Sequence, residues 1–243
     1  MVFLKERRKV LVHFVNWFAA FGFTTPWLSR WAFGKVKMDY QEAVMKLPPP
    51  KTEGTVSVEQ TIKQRRTVRA FISRALDLNQ LSQLLWAAHG ITENRGFKRA
   101  APSAGALYPM DVYVVVGQNS VAQIEAGIFH YEPEGHFLSL VAKSDLREVV
   151  ARASLAQMWM AKAPLNFIIT AEYKRASVKY GERGVRYAMV EAGHIGQNLF
   201  LQAEALGLKA GIVGAFHDEK LIRVMNIPPS HEPLLIMPIG YQA

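Results

Sequence analysis

The 243-residue chain contains no cysteine. Disulfides, thiolate metal sites and a cysteine nucleophile are therefore excluded. It also lacks a Gly-x-Gly-x-x-Gly turn, a Walker sequence and a Gly-x-Ser-x-Gly elbow, which argues against Rossmann, P-loop and α/β-hydrolase chemistry. There is no internal repeat, no zinc-finger spacing, no RNA-recognition signature and no dense basic helix. Nucleic acid is therefore not an expected partner, despite a net charge of +9. The charge is unevenly placed. Residues 1–40 hold seven Lys/Arg against two Asp/Glu, a net of +5, which leaves +4 for everything after them. What is present is apolar substance: half of the residues are hydrophobic, enough for one compact domain with or without an N-terminal extension.

Three stretches divide the chain. In residues 1–35, Lys5, Arg7, Arg8 and Lys9 precede an apolar run from Val10 to Phe23 that is broken by His13, Asn16 and Gly22. The run is shorter than the roughly 20 residues of a spanning helix. It reads as a twin-arginine-like export signal, as a membrane-interfacial helix with Trp17, Trp27 and Trp31 at the boundary, or as a helix packed on the domain or a partner. The expected location is accordingly cytoplasmic or membrane-associated, with export as the third reading. Residues 36–56, with Leu47-Pro48-Pro49-Pro50-Lys51, read as a proline-extended linker. The folded domain is then expected over 57–243.

Within that domain, Ser57-Val58-Glu59-Gln60 and Asp77-Leu78-Asn79-Gln80 match capping boxes and predict helices over 58–65 and 78–89. Asp111 to Gly117 and Leu165 to Ala171 read as buried strands, and Ile128–Glu132 and His136–Val141 as a hairpin about Pro133-Glu134-Gly135. Helices are expected over Ser144–Ala153, Leu155–Ala161 and Asp218–Met225, and a last strand over Leu234–Tyr241. Gly184 to Leu206 is a long helix with apolar residues on most faces, so it is central or lies in a subunit interface; Gly207 ends it. Strands and helices are interspersed, with a hairpin included, and the fold class is α+β.

Several groups carry chemical potential. Arg65, Arg66 and Arg69, with Thr67 between them, suit a phosphate, or else form a solvated basic face. The small-residue stretch Pro102-Ser103-Ala104-Gly105, ahead of Tyr108-Pro109, lets the backbone approach something flat or anionic. Lys179 and Tyr180 can supply a base and a proton donor, or else a plain loop before Gly181. Glu191, His194, Gln197 and Asn198 form a polar stripe on the long helix, suited to a buried hydrogen-bond network or a cofactor wall. Glu191-x-x-His194 has the spacing of a metal half-site, but no second half-site exists and no metal is expected. Gly211-Ile212-Val213-Gly214-Ala215 permits close approach of a planar ligand.

In this order, the segments Arg65–Arg69, Pro102–Pro109, Lys179–Arg183 and Glu191–Asn198 resemble the FMN-dependent nitroreductase superfamily, most closely its azoline dehydrogenases of thiazole/oxazole and streptolysin S-type peptide pathways. The resemblance runs from about Leu47 to Gly240. It implies a mostly antiparallel central sheet flanked by helices, a homodimer built on the long helix, and FMN between the subunits. It places Arg65, Arg66, Thr67 and Arg69 on the FMN phosphate and ribityl chain. Pro102, Ser103, Ala104 and Gly105 would lie beside the flavin, and Gly211, Val213, Gly214 and Ala215 along the isoalloxazine. Lys179 and Tyr180 take the catalytic place, with a base removing a proton as hydride passes to flavin N5. One departure stands out: no basic residue occurs near Gly240-Tyr241-Gln242-Ala243, where family members commonly hold the phosphate, so the arginine segment carries more of that task. The implied activity is oxidoreduction of a small-molecule or peptide substrate. The alternatives are an NAD(P)H-dependent nitro- or quinone reductase, and a non-catalytic flavin-binding or membrane-docking protein.

Overall fold

A computed structural model describes residues 44–93 and 96–243. The basic and apolar arm read over 1–35 lies outside the described residues, and among the described residues no helix is long and apolar enough to cross a membrane. The apolar runs pair into one antiparallel sheet. Its strands are β1 (Val44–Lys46), β2 (Met110–Val116), β3 (Gly127–Glu132), β4 (Phe137–Lys143), β5 (Leu165–Ala171), β6 (Lys209–Ala210) and β7 (Glu232–Gly240), in the spatial order β1-β4-β3-β2-β5-β7-β6. Val112 stands opposite Ile169, and Phe167 opposite Met237.

Every residue of β2 and β5 is buried, which is why these strands read as apolar runs and not as an alternation: both sheet faces are covered. On one face Val112, Val114, Phe167 and Ile169 pack with Leu81, Leu84 and Leu85 of α2 (Leu78–His89) and with Ile195 and Leu199 of α5 (Arg183–Ala205). On the other, Tyr113, Val115, Ile168 and Ile236 pack with Val150 and Ala151 of α3 (Arg147–Ala153) and with Leu221 and Met225 of α6 (Asp218–Met225). Two further helices complete the set, α1 (Val58–Gln64) and α4 (Tyr173–Tyr180).

Local chemistry sets the helix ends. The Ser57 hydroxyl accepts the Gln60 N–H at the start of α1, and at α2 the capping box of Asp77 and Gln80 closes in both directions. Gly207 follows α5 at φ 71°, a conformation that favours glycine.

Two expectations are corrected. Residues 36–56 are not a linker throughout, because β1 pairs with β4, Val44 opposite Ser139. Leu47 is buried, the Pro48 carbonyl accepts the Ser82 hydroxyl at 2.6 Å, and the Gln83 amide bonds the Lys51 backbone in both directions. The domain includes residues from Val44 onward, and the prolines form a strap along the core. An extended proline run looks the same in sequence whether it crosses solvent or lies on a sheet edge. The helical reading of Leu155–Ala161 also fails. Leu155 and Ala156 sit at φ 53° and 56°, and only a 3-10 segment, Met158–Lys162, follows.

Candidate functional site

The stretch Pro102–Pro109 is a strained loop held from several sides. It contains a 3-10 turn, Ala104–Ala106, and Gly105, Ala106 and Tyr108 all have positive φ, at 63°, 54° and 46°. Two of these are not glycine, and such a conformation persists only where neighbours over-determine it. Those neighbours are present. Tyr108 N–H donates to the Ser103 hydroxyl at 3.0 Å, Glu172 N–H donates to the Pro109 carbonyl at 2.8 Å, and the Arg99 guanidinium lies 4.4 Å from the Tyr108 ring centroid. Asn198 of α5 donates to the Ala87 and Ala100 carbonyls at 3.0 and 3.2 Å. Its place in the polar stripe is thus structural: it clamps α2 and the loop's leading end to α5.

The loop meets Lys179 and Tyr180. A side chain on Gly105 would put its Cβ 2.6 Å from the Tyr180 hydroxyl and 3.1 Å from Lys179 Nζ. The two residues expected in a loop before Gly181 are in fact the last turn of α4, so their geometry is helical and fixed. The Tyr180 ring meets Tyr187 of α5 edge-on at 5.2 Å. Beside this junction a cavity of about 270 Å³ is lined by Pro102, Ser103, Ala104, Tyr187, Glu191 and His194. Glu191 is 1 % exposed, and its Oε1 has no hydrogen-bond partner among the described residues. Burial pushes its carboxyl up to about 7, against the opposing influence of the Ser103 hydroxyl and the Arg99 charge. Two larger clefts, about 360 and 750 Å³, lie around Trp86 and Gln202 and hold neither the Lys179–Tyr180 pair nor the arginines.

The arginine segment gathers elsewhere. Thr67 bridges Ala210 in parallel, and Val68 N–H donates to the Ala210 carbonyl at 3.0 Å. Arg65 lies over the Phe200 ring at 5.3 Å, and Arg69 over Trp159 at 5.9 Å. Arg66 turns back to donate to the Lys63 and Arg65 carbonyls at 2.9 and 2.8 Å, closing the end of α1. Among the described residues none of the three pairs with a carboxylate within 4.0 Å. The chain's C-terminal residues run beside this segment, Phe71 bridging Gln242 and Ala243 N–H donating to Ala70.

The glycine loop is partly committed to the sheet. Gly211 and Val213 donate their N–H groups to the Pro238 and Ile236 carbonyls at 2.8 and 2.9 Å, so neither is available to a ligand. Gly211 is small for a packing reason: a Cβ there would strike the Val68 carbonyl at 2.7 Å and the Trp159 indole at 2.9 Å. Gly214 and Ala215 are exposed, and nothing lies within 4 Å of a Cβ built on Gly214. Of the four positions expected along a planar ligand, these two can meet one.

The structure therefore forms two groups. In one, Arg65 stands over Phe200 of α5, Thr67 bridges Ala210, and Arg69 and Gly211 share Trp159. In the other, Pro102–Gly105, Lys179 and Tyr180 stand by Tyr187. Thirteen residues of helix separate the two, about 20 Å along its axis. Sequence reasoning missed a third group, which anchors α4. Asp111 meets Arg175 at 2.9 Å, His130 at 3.1 Å and His231 at 3.7 Å; Glu172 meets Arg175 at 2.7 Å, and Glu132 meets His130 at 2.7 Å. Burial alone would raise the Asp111 carboxyl, but the hydrogen bond from His130 and the Arg175 charge hold it below the ordinary range. Burial alone would lower His130, but bonding to Asp111 and the Glu132 charge leave it raised.

This arrangement of sheet, strained loop and helix-borne Lys179–Tyr180 pair belongs to a known class. Residues 62–241 match the model of the Nitroreductase family, and the chain belongs to that family. It is 42% identical over 185 residues, 76% of its own length and 91% of the relative's, to a Methanocaldococcus jannaschii protein that carries a provisional nitroreductase name. It is 27% identical over 169 residues to the Microcin B17-processing protein McbC of Escherichia coli, an alignment that spans 68% of this chain and 62% of McbC. Among solved structures, a provisionally named nitroreductase from Ralstonia eutropha superposes with a TM-score of 0.72 at 31% identity, covering 83% of this chain and 90% of that one. The family is one of oxidoreductases, and its members generally bind FMN.

Proposed function

We propose that this chain is an FMN-dependent oxidoreductase of azoline-dehydrogenase type, acting as a homodimer. The observation that carries the reading is the contact of Lys179 and Tyr180, at the end of α4, with Gly105 of the strained loop. The residues fit FMN. Three guanidinium groups in five residues lack carboxylate partners among the described residues, and such groups match a phosphate. Gly214 and Ala215 leave open backbone for a flat ring. Bound there, FMN would supply hydride acceptance.

The chain's own residues do the rest. Arg65, Arg66, Arg69 and Thr67 hold the phosphate, and Pro102–Gly105 present a small-residue wall that lets substrate approach. One member of the Lys179–Tyr180 pair takes the ring proton, while the loop and α4 hold it in position. The likeness to McbC, a microcin-processing protein, supports a peptide substrate.

The test begins with the visible spectrum of the purified protein and identification of the released cofactor. About one FMN per chain is expected, followed by loss of two hydrogens from a thiazoline-bearing peptide. Lys179→Ala should lower that turnover by about 10²-fold or more with FMN retained. The M. jannaschii relative favours a second reading, NAD(P)H-driven reduction of a nitro compound or quinone. NAD(P)H turnover that survives Lys179→Ala decides for it, and bound flavin that no donor reduces would leave a non-catalytic protein. For residues 1–35 we propose membrane docking; fractionation unchanged by their deletion refutes it.

A further inference from the structure

Glu191 is not accounted for by packing or by the roles proposed so far. It is buried in α5, one turn after Tyr187, and one carboxyl oxygen has no hydrogen-bond partner among the described residues. A native interior rarely leaves such an atom unpaired. Glu191 lines the same cavity as Ser103, Tyr187 and His194, and Tyr187 in turn meets Tyr180 edge-on at 5.2 Å. The carboxyl and the Lys179–Tyr180 pair thus flank one small junction, with Tyr187 and the loop between them.

We propose that Glu191 is the proton acceptor behind Lys179 and Tyr180, receiving the proton that the pair removes from substrate and returning it in the reverse direction. The inference rests on the azoline-dehydrogenase reading. For each ring oxidised, one C–H bond breaks with its electron pair, which leaves with the hydrogen as hydride to FMN. The neighbouring C–H bond gives its proton to the pair, and its electrons form the new ring double bond. The proton passes to the Glu191 carboxylate, forms its O–H, and is released to water before the next turnover. The groups facing Glu191 suit the exchange. Arg99 favours the carboxylate, Ser103 presents its hydroxyl to it, and Tyr187 and His194 stand at the cavity wall. Burial holds the carboxyl at about 7, where both forms are populated at neutral pH. His89, which contacts Arg99, is pushed by burial and that charge down to about 3 and stays neutral in this range.

The test compares the FMN-loaded wild type with Glu191→Gln. Two readouts are used: the infrared band of a protonated carboxyl as pH is varied, and the pH profile of turnover on a thiazoline-bearing peptide. The band should titrate near 7 and be missing from Glu191→Gln. Wild-type turnover should rise through the same pH, whereas Glu191→Gln should be slower by about 10–100-fold at pH ~8, flat in profile and unchanged in FMN affinity. His194→Gln should keep the break. A Glu191→Gln enzyme with wild-type rate and profile, a carboxyl band that titrates in the ordinary range, or a break that disappears only in His194→Gln each overturns the proposal. A wild type that binds no FMN or leaves the thiazoline untouched overturns the parent reading instead, and this proposal falls with it.

Discussion

At the residue scale, Glu191 makes a stability statement that needs no cofactor. Its carboxyl, ordinarily near 4.5, is raised by burial to about 7 in the folded chain. The contribution of its protonated form is therefore complete below 4.5 and is lost as pH rises through about 7. At 1.36 kcal/mol per unit the full swing is about 3 kcal/mol. Glutamine keeps the shape without the charge, so Glu191→Gln should match wild type at about pH 4 and be more stable at about pH 8.5, with Tm several degrees higher. Thermal melts of the apoprotein at both pH values check this; an equal difference at each would mean that the carboxyl does not titrate as its burial requires. Gly105 makes a second prediction. Alanine there must adopt φ 63° and meet the Tyr180 hydroxyl at 2.6 Å. Gly105→Ala should cost about 1–2 kcal/mol and lower turnover about tenfold or more by displacing the Lys179–Tyr180 pair. A variant with wild-type activity would show that the contact does not position them.

At the scale of elements, α4 is tied down by charges at its first turn and carries the candidate base on its last. Arg175 and Glu172 join it to Asp111 of β2 and, through that residue, to His130 of β3. The Asp111 contribution is present above its ordinary 3.8 and lost as pH falls through its lowered value. His130 contributes fully below its ordinary 6.5, and that contribution is lost as pH rises through its raised value. The pairing of Asp111 with His130 is thus strongest between 3.8 and 6.5. The stability cost of Asp111→Asn, about 1–3 kcal/mol, should peak in that window and shrink on the alkaline side, as urea unfolding at a series of pH values would show. A cost independent of pH would count against the pairing. None of this network was legible in the sequence, because its members lie on β2, β3, α4 and the approach to β7, and no local spacing links them. The helix α4 itself was missed for a local reason: only Ala176 of its eight residues is buried, and no side chain caps its start. By contrast α2, β5 and α6 were read to the residue: a capping box marks α2, a fully buried apolar run marks β5, and α6 opens on Asp218 and Glu219 and carries Arg223 in its last turn. The candidate site residues stood out as four separate segments, whereas the grouping of those segments was not legible.

At the scale of the molecule, α5 carries an uncovered stripe. Arg186, Met189, Val190, Gly193, His194 and Gln197 are exposed at helical spacing, Met189 and Val190 by 52% and 53%, and a Cβ built on Gly193 would meet nothing within 4 Å. A stripe with two exposed apolar side chains and glycine at its middle suits a close crossing with a second copy of the same helix. Two-fold symmetry about that crossing would bring the Tyr187 end of one α5 toward the Phe200 end of the other. It would thereby join the arginine segment of one protomer to the Lys179–Tyr180 pair of its partner, groups that stand about 20 Å apart along α5 within one chain. Val190→Glu should then yield monomers by light scattering and weaken FMN binding more than tenfold. Hybrid dimers distinguish a shared site from a private one. One protomer carries Arg65→Ala with Arg69→Ala, the other carries Lys179→Ala, and each homodimer is inactive. If the site is shared, the hybrid holds one doubly damaged site and one intact site and recovers about half of the wild-type activity per dimer. If each chain holds its own site, both sites in the hybrid are damaged and turnover stays at the level of the parents. Recovery to about half would locate the chemistry between the subunits, and no recovery would return it to the single chain and leave the stripe on α5 to be explained by packing alone.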